Sequence, residues 1–161
     1  MLNPQSPLAR LLTTPMRPGA VQWIGLRPGR RMPMLPVAEA MLDPTEGLVG
    51  DRYAGTGGKR QVTVMEAEHL RAIGSYLGLD ATPEQLRRNM VVSGINLHAI
   101  GERPFRLGGA VLQATGECHP CSRMEETLGP GGYNAVRRHG GITARVLQGG
   151  MARLGDVIQV Q

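Results

Sequence analysis

The sequence predicts a β-rich α+β domain, a mostly antiparallel, barrel-like sheet carrying a few short helices. Three observations lead there. Seven or eight short apolar or alternating runs read as strands, each bounded by Gly- or Pro-rich punctuation. Two or three segments have helical spacing, and they do not alternate with the strands in the rhythm of a parallel α/β sheet. The 161 residues are 41% hydrophobic, enough to bury a core without disulfides or structural metals.

The elements follow in order. Residues 1–20 contain Pro4, Pro7, Pro15 and Pro18 and are expected to form a loosely ordered arm, with the folded domain over 21–161. Val21 to Leu26 reads as a first strand, ended by Arg27-Pro28-Gly29-Arg30. A second extended piece lies near Met34 to Met41, where Pro33 and Pro36 favour a sheet edge. Gln61 to Met65 alternates and predicts a strand running into a helix from Glu66, whose acids sit in its first turn. Thr82-Pro83-Glu84-Gln85 has the residues of a capping box and starts a helix ending near Arg88. Asn89 to Ser93 is the next strand, and the segments around Phe105 and Leu107 to Thr115 predict a hairpin turning at Gly108-Gly109. Tyr133 to Arg138 reads as one or two helical turns. Ile142 to Leu147 and Asp156 to Val160 are expected to pair around Gly149-Gly150.

Composition narrows the function. The net charge is +5, and of eighteen basic residues all but Lys59 are Arg, whose planar fork suits phosphate and carboxylate. A biased genomic composition would produce the same excess. Five aromatics and scattered cations argue against a nucleic-acid partner. No run approaches the ~18 apolar residues of a membrane span, and no apolar leader precedes a cleavage site. Two cysteines in a chain of this size imply a reducing setting, so a soluble, cytoplasmic protein is expected.

Two stretches carry chemistry. Residues Gly47 to Arg60 hold five glycines and three cations in fourteen positions, more than a turn requires. Backbone so free of Cβ atoms can approach a ligand closely, and its N–H groups can cradle phosphate. The Gly58-Lys59 pair precedes Arg60, not Ser or Thr, so this is not a nucleotide phosphate loop.

The second stretch is Thr115 to Glu126. It holds both cysteines, Cys118 and Cys121, between an apolar run and a helix-like segment. A thiol at such a turn meets backbone N–H groups that favour thiolate. Four readings compete: half of a zinc site, which needs two further ligands from His69, His98, His119 or His139; a Cys-x-x-Cys redox pair; inert core thiols; and one thiolate that binds a soft metal centre or carries sulfur.

The order of Gly50-Asp51-Arg52-Tyr53, Arg60-Gln61-Val62-Thr63, Arg87-Arg88-Asn89-Met90, Cys118-His119-Pro120-Cys121-Ser122-Arg123, Gly140-Gly141-Ile142-Thr143-Ala144-Arg145 and Arg153-Leu154-Gly155-Asp156 resembles the MOSC domain, named for the C-terminal domain of molybdenum cofactor sulfurases. The likeness runs from Val21 to Val160. It implies a barrel-like domain that binds the molybdopterin-type molybdenum cofactor and uses one cysteine as molybdenum ligand or sulfur carrier. Stand-alone bacterial members place that cysteine in a Pro-Cys pair, which falls on Cys121, leaving Cys118 as a resolving thiol or a neighbour. The segment that helps hold the pterin and its phosphate falls on Arg87 and Asn89, with Arg88 where the family has Pro. Gly50, Asp51 and Arg52 match a further motif, and Gly141 and Arg145 the last. Arg52, Lys59, Arg60 and Arg87 are thus the candidate phosphate holders, and Asp51 is expected to orient Arg52.

The resemblance implies a possible molybdenum-dependent oxidoreductase, with Cys121 as metal ligand and catalytic residue. It would reduce a small N-hydroxylated or N-oxide-type substrate with electrons from a separate reductase, because the chain has no flavin, haem or iron–sulfur motif. The alternatives are a non-catalytic carrier delivering sulfur or cofactor to a receiving enzyme through a Cys121 persulfide, and a thiol redox protein. Pyridoxal phosphate, which belongs to a separate domain of the sulfurases, is not expected.

Overall fold

A computed structural model describes residues 1–55 and 58–161; Thr56 and Gly57 of the glycine-rich stretch lie outside the described residues. The described residues form α1 (Pro7–Thr13), β1 (Gly19–Leu26), β2 (Leu35–Pro36), β3 (Glu39–Asp43), β4 (Gly47–Leu48), β5 (Val62–Glu66), α2 (Ala67–Leu77), α3 (Pro83–Leu86), β6 (Met90–Ser93), α4 (Leu97–Ile100), β7 (Pro104–Leu107), β8 (Ala110–Glu117), α5 (Ser122–Leu128), α6 (Gly132–Val136), β9 (Ile142–Gln148), β10 (Gly150–Arg153) and β11 (Val157–Val160).

The main sheet runs β11-β7-β8-β9-β5-β6-β1, and β1 pairs back onto β11, so these strands close a barrel. Closure removes the free edges of the main sheet. β2 hangs from β1 as the edge strand its prolines predict, and β10-β3-β4 form a small second sheet. Alternation explains the barrel core. On β9, Ile142, Ala144 and Val146 are buried and meet Val64, Met90, Phe105, Leu112 and Ile158 inside the barrel, while Thr143 and Arg145 take the other face. Burying each large side chain fully contributes about 1.5–3 kcal/mol.

A second apolar cluster lies outside the barrel, where α2, α5 and α6 bring Ile73, Met124, Leu128 and Val136 onto Met65, Val91 and Leu86. The helix signals are those the sequence carries: α3 has the complete Thr82–Gln85 capping box, and α2 ends on Gly78 at φ 68°.

Three expectations change. The arm contains α1, capped by Ser6 with Pro7 in its first turn, although none of its residues is buried. The β5–β6 pair is parallel, joined through α2 and α3, so one βαβ unit hides in the chain. The C-terminal pair is in fact three strands: Gly150 starts β10, which departs from β9 and pairs with β3, while β11 pairs with β7 and β1 and not with β9. A Cβ at Gly150 would stand 2.2 Å from Gly109 O, so only glycine lets β10 cross the β7–β8 turn.

Candidate functional site

Five connecting segments converge at one end of the barrel: the turn after β1, the loop after β4, the α3–β6 junction, the end of β8, and the Cys118–Cys121 turn. They enclose a cleft of about 780 Å³. Its walls hold Arg27, Arg30, Arg31, Arg52, Lys59, Arg60, Arg87, Arg88 and Arg123, and the one lining carboxylate among the described residues is Glu117. Cys121 opens into the same space.

The floor is a buried polar network. Arg27 closes β1, and its backbone N–H donates to Asp51 Oδ1 at 2.8 Å. Its guanidinium adds Nε to Oδ1 at 3.0 Å and Nη2 to Oδ2 at 2.9 Å, a bidentate fork. Asp51 therefore orients Arg27, not the adjacent Arg52 that sequence reasoning paired with it. Arg52 N–H donates to Arg27 O at 2.8 Å, and both guanidinium groups lie over the Tyr53 ring, at 4.6 Å for Arg27 and 4.8 Å for Arg52. Burial pushes the Asp51 carboxyl up, but hydrogen bonds and charge from Arg27 outweigh that and hold it below its ordinary value.

Asn89 belongs to this floor. It is fully buried; its Oδ1 accepts from Thr63 N, Thr63 Oγ1 and Arg27 Nη2, and its Nδ2 donates to Gly25 O and Asp51 Oδ1. It reaches the cleft only through Arg27.

Arg87 caps α3 in the left-handed conformation, φ 55°, a costly one for a side chain with Cβ. Its guanidinium donates to Gly29 O at 3.1 Å and to Met32 O, clamping the turn that carries Arg30 and Arg31. Burial, and then the charges of Arg123, Arg27 and Arg52, push its pKa down. Burial is the larger cause, and the neighbouring guanidinium groups add to it.

Arg88 takes the inward path. It is 7% exposed and donates to Gly140 O at 2.8 Å, Leu86 O at 2.7 Å and Cys118 O at 3.4 Å, bracketing the cysteine turn to the Gly140 turn. Gly140 and Gly141 make this docking possible. A Cβ on Gly140 would lie 2.3 Å from Cys118 O, and Gly141, at φ 83°, gives its carbonyl to Cys118 N at 2.8 Å.

The cysteines are thereby separated in kind. Cys118 is buried, with Arg60 Nη2 at 3.9 Å from its sulfur; Cys121 is exposed and stands immediately before α5. Both are free thiols. Among the described residues no three His, Cys, Asp or Glu side chains come together to hold a metal ion, so the four-ligand zinc arrangement is not assembled there. A metal at Cys121 would need its other ligands from a bound group.

Of the residues singled out in the sequence, Cys121, Arg52, Lys59, Arg60 and Arg87 share the cleft. Asn89 lies beneath it. Arg145 lies outside it, on the outer face of β9 one alternation beyond Thr143, donating to Gln113 Oε1 at 2.6 Å. Sequence reasoning missed Arg27, Arg30, Arg31, Arg88 and Arg123 as site residues. The available signal was position: two border the Pro28-Gly29 turn, and Arg123 follows the cysteines by two residues.

The MOSC domain sequence profile matches residues 50–159. The chain belongs to the MOSC domain family. Its fold is shared by solved structures: YuaD from Bacillus subtilis superposes with a TM-score of 0.78 at 20% identity, over 89% of this chain and 96% of that one. YiiM from Geobacillus stearothermophilus gives 0.72 at 18% identity, over 89% and 75%. YiiM from Escherichia coli gives 0.67 at 18%, over 88% and 69%. At these identities the likeness is one of fold. No curated protein sequence matches the chain. No described helix of this MOSC domain is long and apolar enough to cross a membrane.

Proposed function

We propose that this MOSC domain binds the molybdenum cofactor in the arginine cleft, with the Cys121 thiolate as the protein ligand to molybdenum. The observation that carries the reading is the sharing of one cleft by an exposed thiol and nine cations. The residues fit the group. A pterin phosphate is a dianion near neutral pH; Arg52, Lys59, Arg60 and Arg87 would supply donors, and its charge would offset the mutual repulsion that adds to burial in lowering the Arg87 pKa. A volume of about 780 Å³ falls in the range of cofactor pockets.

When bound, the cofactor supplies two-electron redox chemistry, here the reduction of a small N-hydroxylated or N-oxide-type substrate with electrons from a separate reductase. The protein's part is to orient the group through Cys121 and to hold its phosphate end against Arg52, Arg60 and Arg87. Arg27, neutralised by Asp51, fixes the floor beneath that end instead of adding net charge.

The test is molybdenum content, measured by mass spectrometry, of protein purified from a host that makes the cofactor. Wild type is expected to carry molybdenum, Cys121→Ala to lose most of it, and Arg87→Ala to lose part. No metal in wild type, or equal content in Cys121→Ala, overturns the reading. A persulfide on Cys121 without turnover of N-hydroxylated compounds would replace the enzyme by a sulfur carrier.

A further inference from the structure

The arginine cleft holds more positive charge than one phosphate can use. Apart from Arg27, no cation in its walls has a carboxylate within hydrogen-bond distance among the described residues. Arg52, Lys59, Arg60 and Arg87 suit the cofactor phosphate, and Arg88 turns inward to backbone carbonyls. Arg30, Arg31 and Arg123 are left without an anion.

These three are brought together. Arg30 and Arg31 follow the Pro28-Gly29 turn, and Arg123 lies in α5, two residues beyond Cys121. Glu126 Oε2 stands 4.0 Å from Arg31 Nη1 and 4.0 Å from Arg123 Nε, so the two guanidinium groups flank one position. At that distance Glu126 gives charge but no hydrogen bond, and it stands outside the lining of the cleft. The two forks keep their donors. The turn itself is held in place: Arg31 takes the left-handed conformation at φ 61°, and Arg87 donates to Gly29 O and Met32 O on either side of it. Its guanidinium groups are therefore ordered before any ligand arrives.

We propose that Arg31 and Arg123, with Arg30 beside them, bind a carboxylate carried by the substrate, so that the site selects N-hydroxylated or N-oxide-type compounds that are anions over neutral ones. This rests on the cofactor reading above and adds the class of substrate to it. Arg123 puts the anchor close along the chain to Cys121, and both line the same cleft. Glu126 supplies the precedent, one carboxylate oxygen facing both guanidinium groups. A substrate carboxylate entering from the cleft takes the charge-assisted hydrogen bonds that Glu126 is too distant to make.

Benzamidoxime and para-carboxybenzamidoxime share one N–O centre and differ in the carboxylate. Reduction of either takes two electrons and two protons, breaks the N–O bond, and releases the amidine and water; dithionite-reduced methyl viologen supplies the electrons. Turnover of the molybdenum-loaded full chain is measured with both, and calorimetric titration of the same protein without reductant gives Kd. For the carboxylate compound, KM and Kd about tenfold lower or more are expected, with kcat within about twofold. Arg31→Gln and Arg123→Gln should each reduce that preference and together remove it, with molybdenum content as in wild type. The Arg31 side chain is 62% exposed, so should Arg123→Gln fail to fold, Arg31→Gln is read alone. Equal Kd for the two compounds, or a preference untouched by the variants that fold, overturns this proposal and leaves the cofactor reading standing. Absence of molybdenum from wild type overturns both.

Discussion

Replacing Asp51 by Ala removes the one carboxylate that holds Arg27 beneath the cleft. Its oxygens accept from Arg27 N, Nε and Nη2, from Asn89 Nδ2 and from Tyr53 N, at 2.8 to 3.2 Å. The Asp51 side chain is 0% exposed and that of Arg27 9%, so Asp51→Ala leaves a guanidinium buried without a counter-charge. Breaking a buried pair from one side costs about 3–5 kcal/mol. For a chain of this length each kcal/mol moves Tm by about 2–4 °C, so a loss on the order of 10 °C is expected. The double variant Arg27→Met, Asp51→Leu removes both charges and should recover most of that loss. Urea unfolding followed by circular dichroism of wild type, Asp51→Ala, the two singles Arg27→Met and Asp51→Leu, and the double variant gives the free energies. A single-variant loss under about 1 kcal/mol, or a double variant losing the sum of its singles, would refute the reasoning, since neither fits a coupled buried pair.

The same carboxylate sets an acid limit. Its pKa in the fold lies below its ordinary value of 3.8, so its stabilisation is present above that value and is lost as pH falls through the lower folded one. The Tm gap between wild type and Asp51→Asn should therefore hold steady from about pH 7 to 5 and narrow below about pH 4; a gap unchanged to about pH 2.5 would contradict the assignment. Thiol labelling of native protein should modify Cys121 quickly and Cys118, 2% exposed, only on unfolding. In Cys121→Ser the fast phase should vanish, and a fast phase that survives would mean that the cysteine turn opens.

The sequence shows elements whose signals are local. The α3 capping box, the β7–β8 hairpin and the helix after Cys121 follow from residues within a few positions of one another. The β5–β6 crossover was less legible, since its parallel pairing depends on where α2 and α3 pack rather than on any residue within the strands. For the site, the motifs named loops that converge on the cleft but not the partners inside them. Asp51 looks like the servant of its neighbour Arg52, yet its partner Arg27 is 24 positions away, and only barrel closure brings them together. Arg145 sits on the same face of β9 as Thr143, but alternation reports a face and not a distance along it.

The way the arginines are held bears directly on what the cleft can bind. Arg27 alone among the anchored ones is matched by a carboxylate; Arg87 and Arg88 give only part of their donors, to carbonyls of Gly29, Met32, Leu86, Gly140 and Cys118. Carbonyl acceptors fix a guanidinium in place without neutralising it. Each such clamp therefore orders a cation and leaves its charge in the field, where the charges of Arg123, Arg27 and Arg52 add to burial in lowering the Arg87 pKa. A clamp made of carboxylates would have given a more stable but electrically silent turn. An anion entering this cleft meets donors already oriented and relieves repulsion present before it arrives, so part of its binding energy is stored in the unliganded fold.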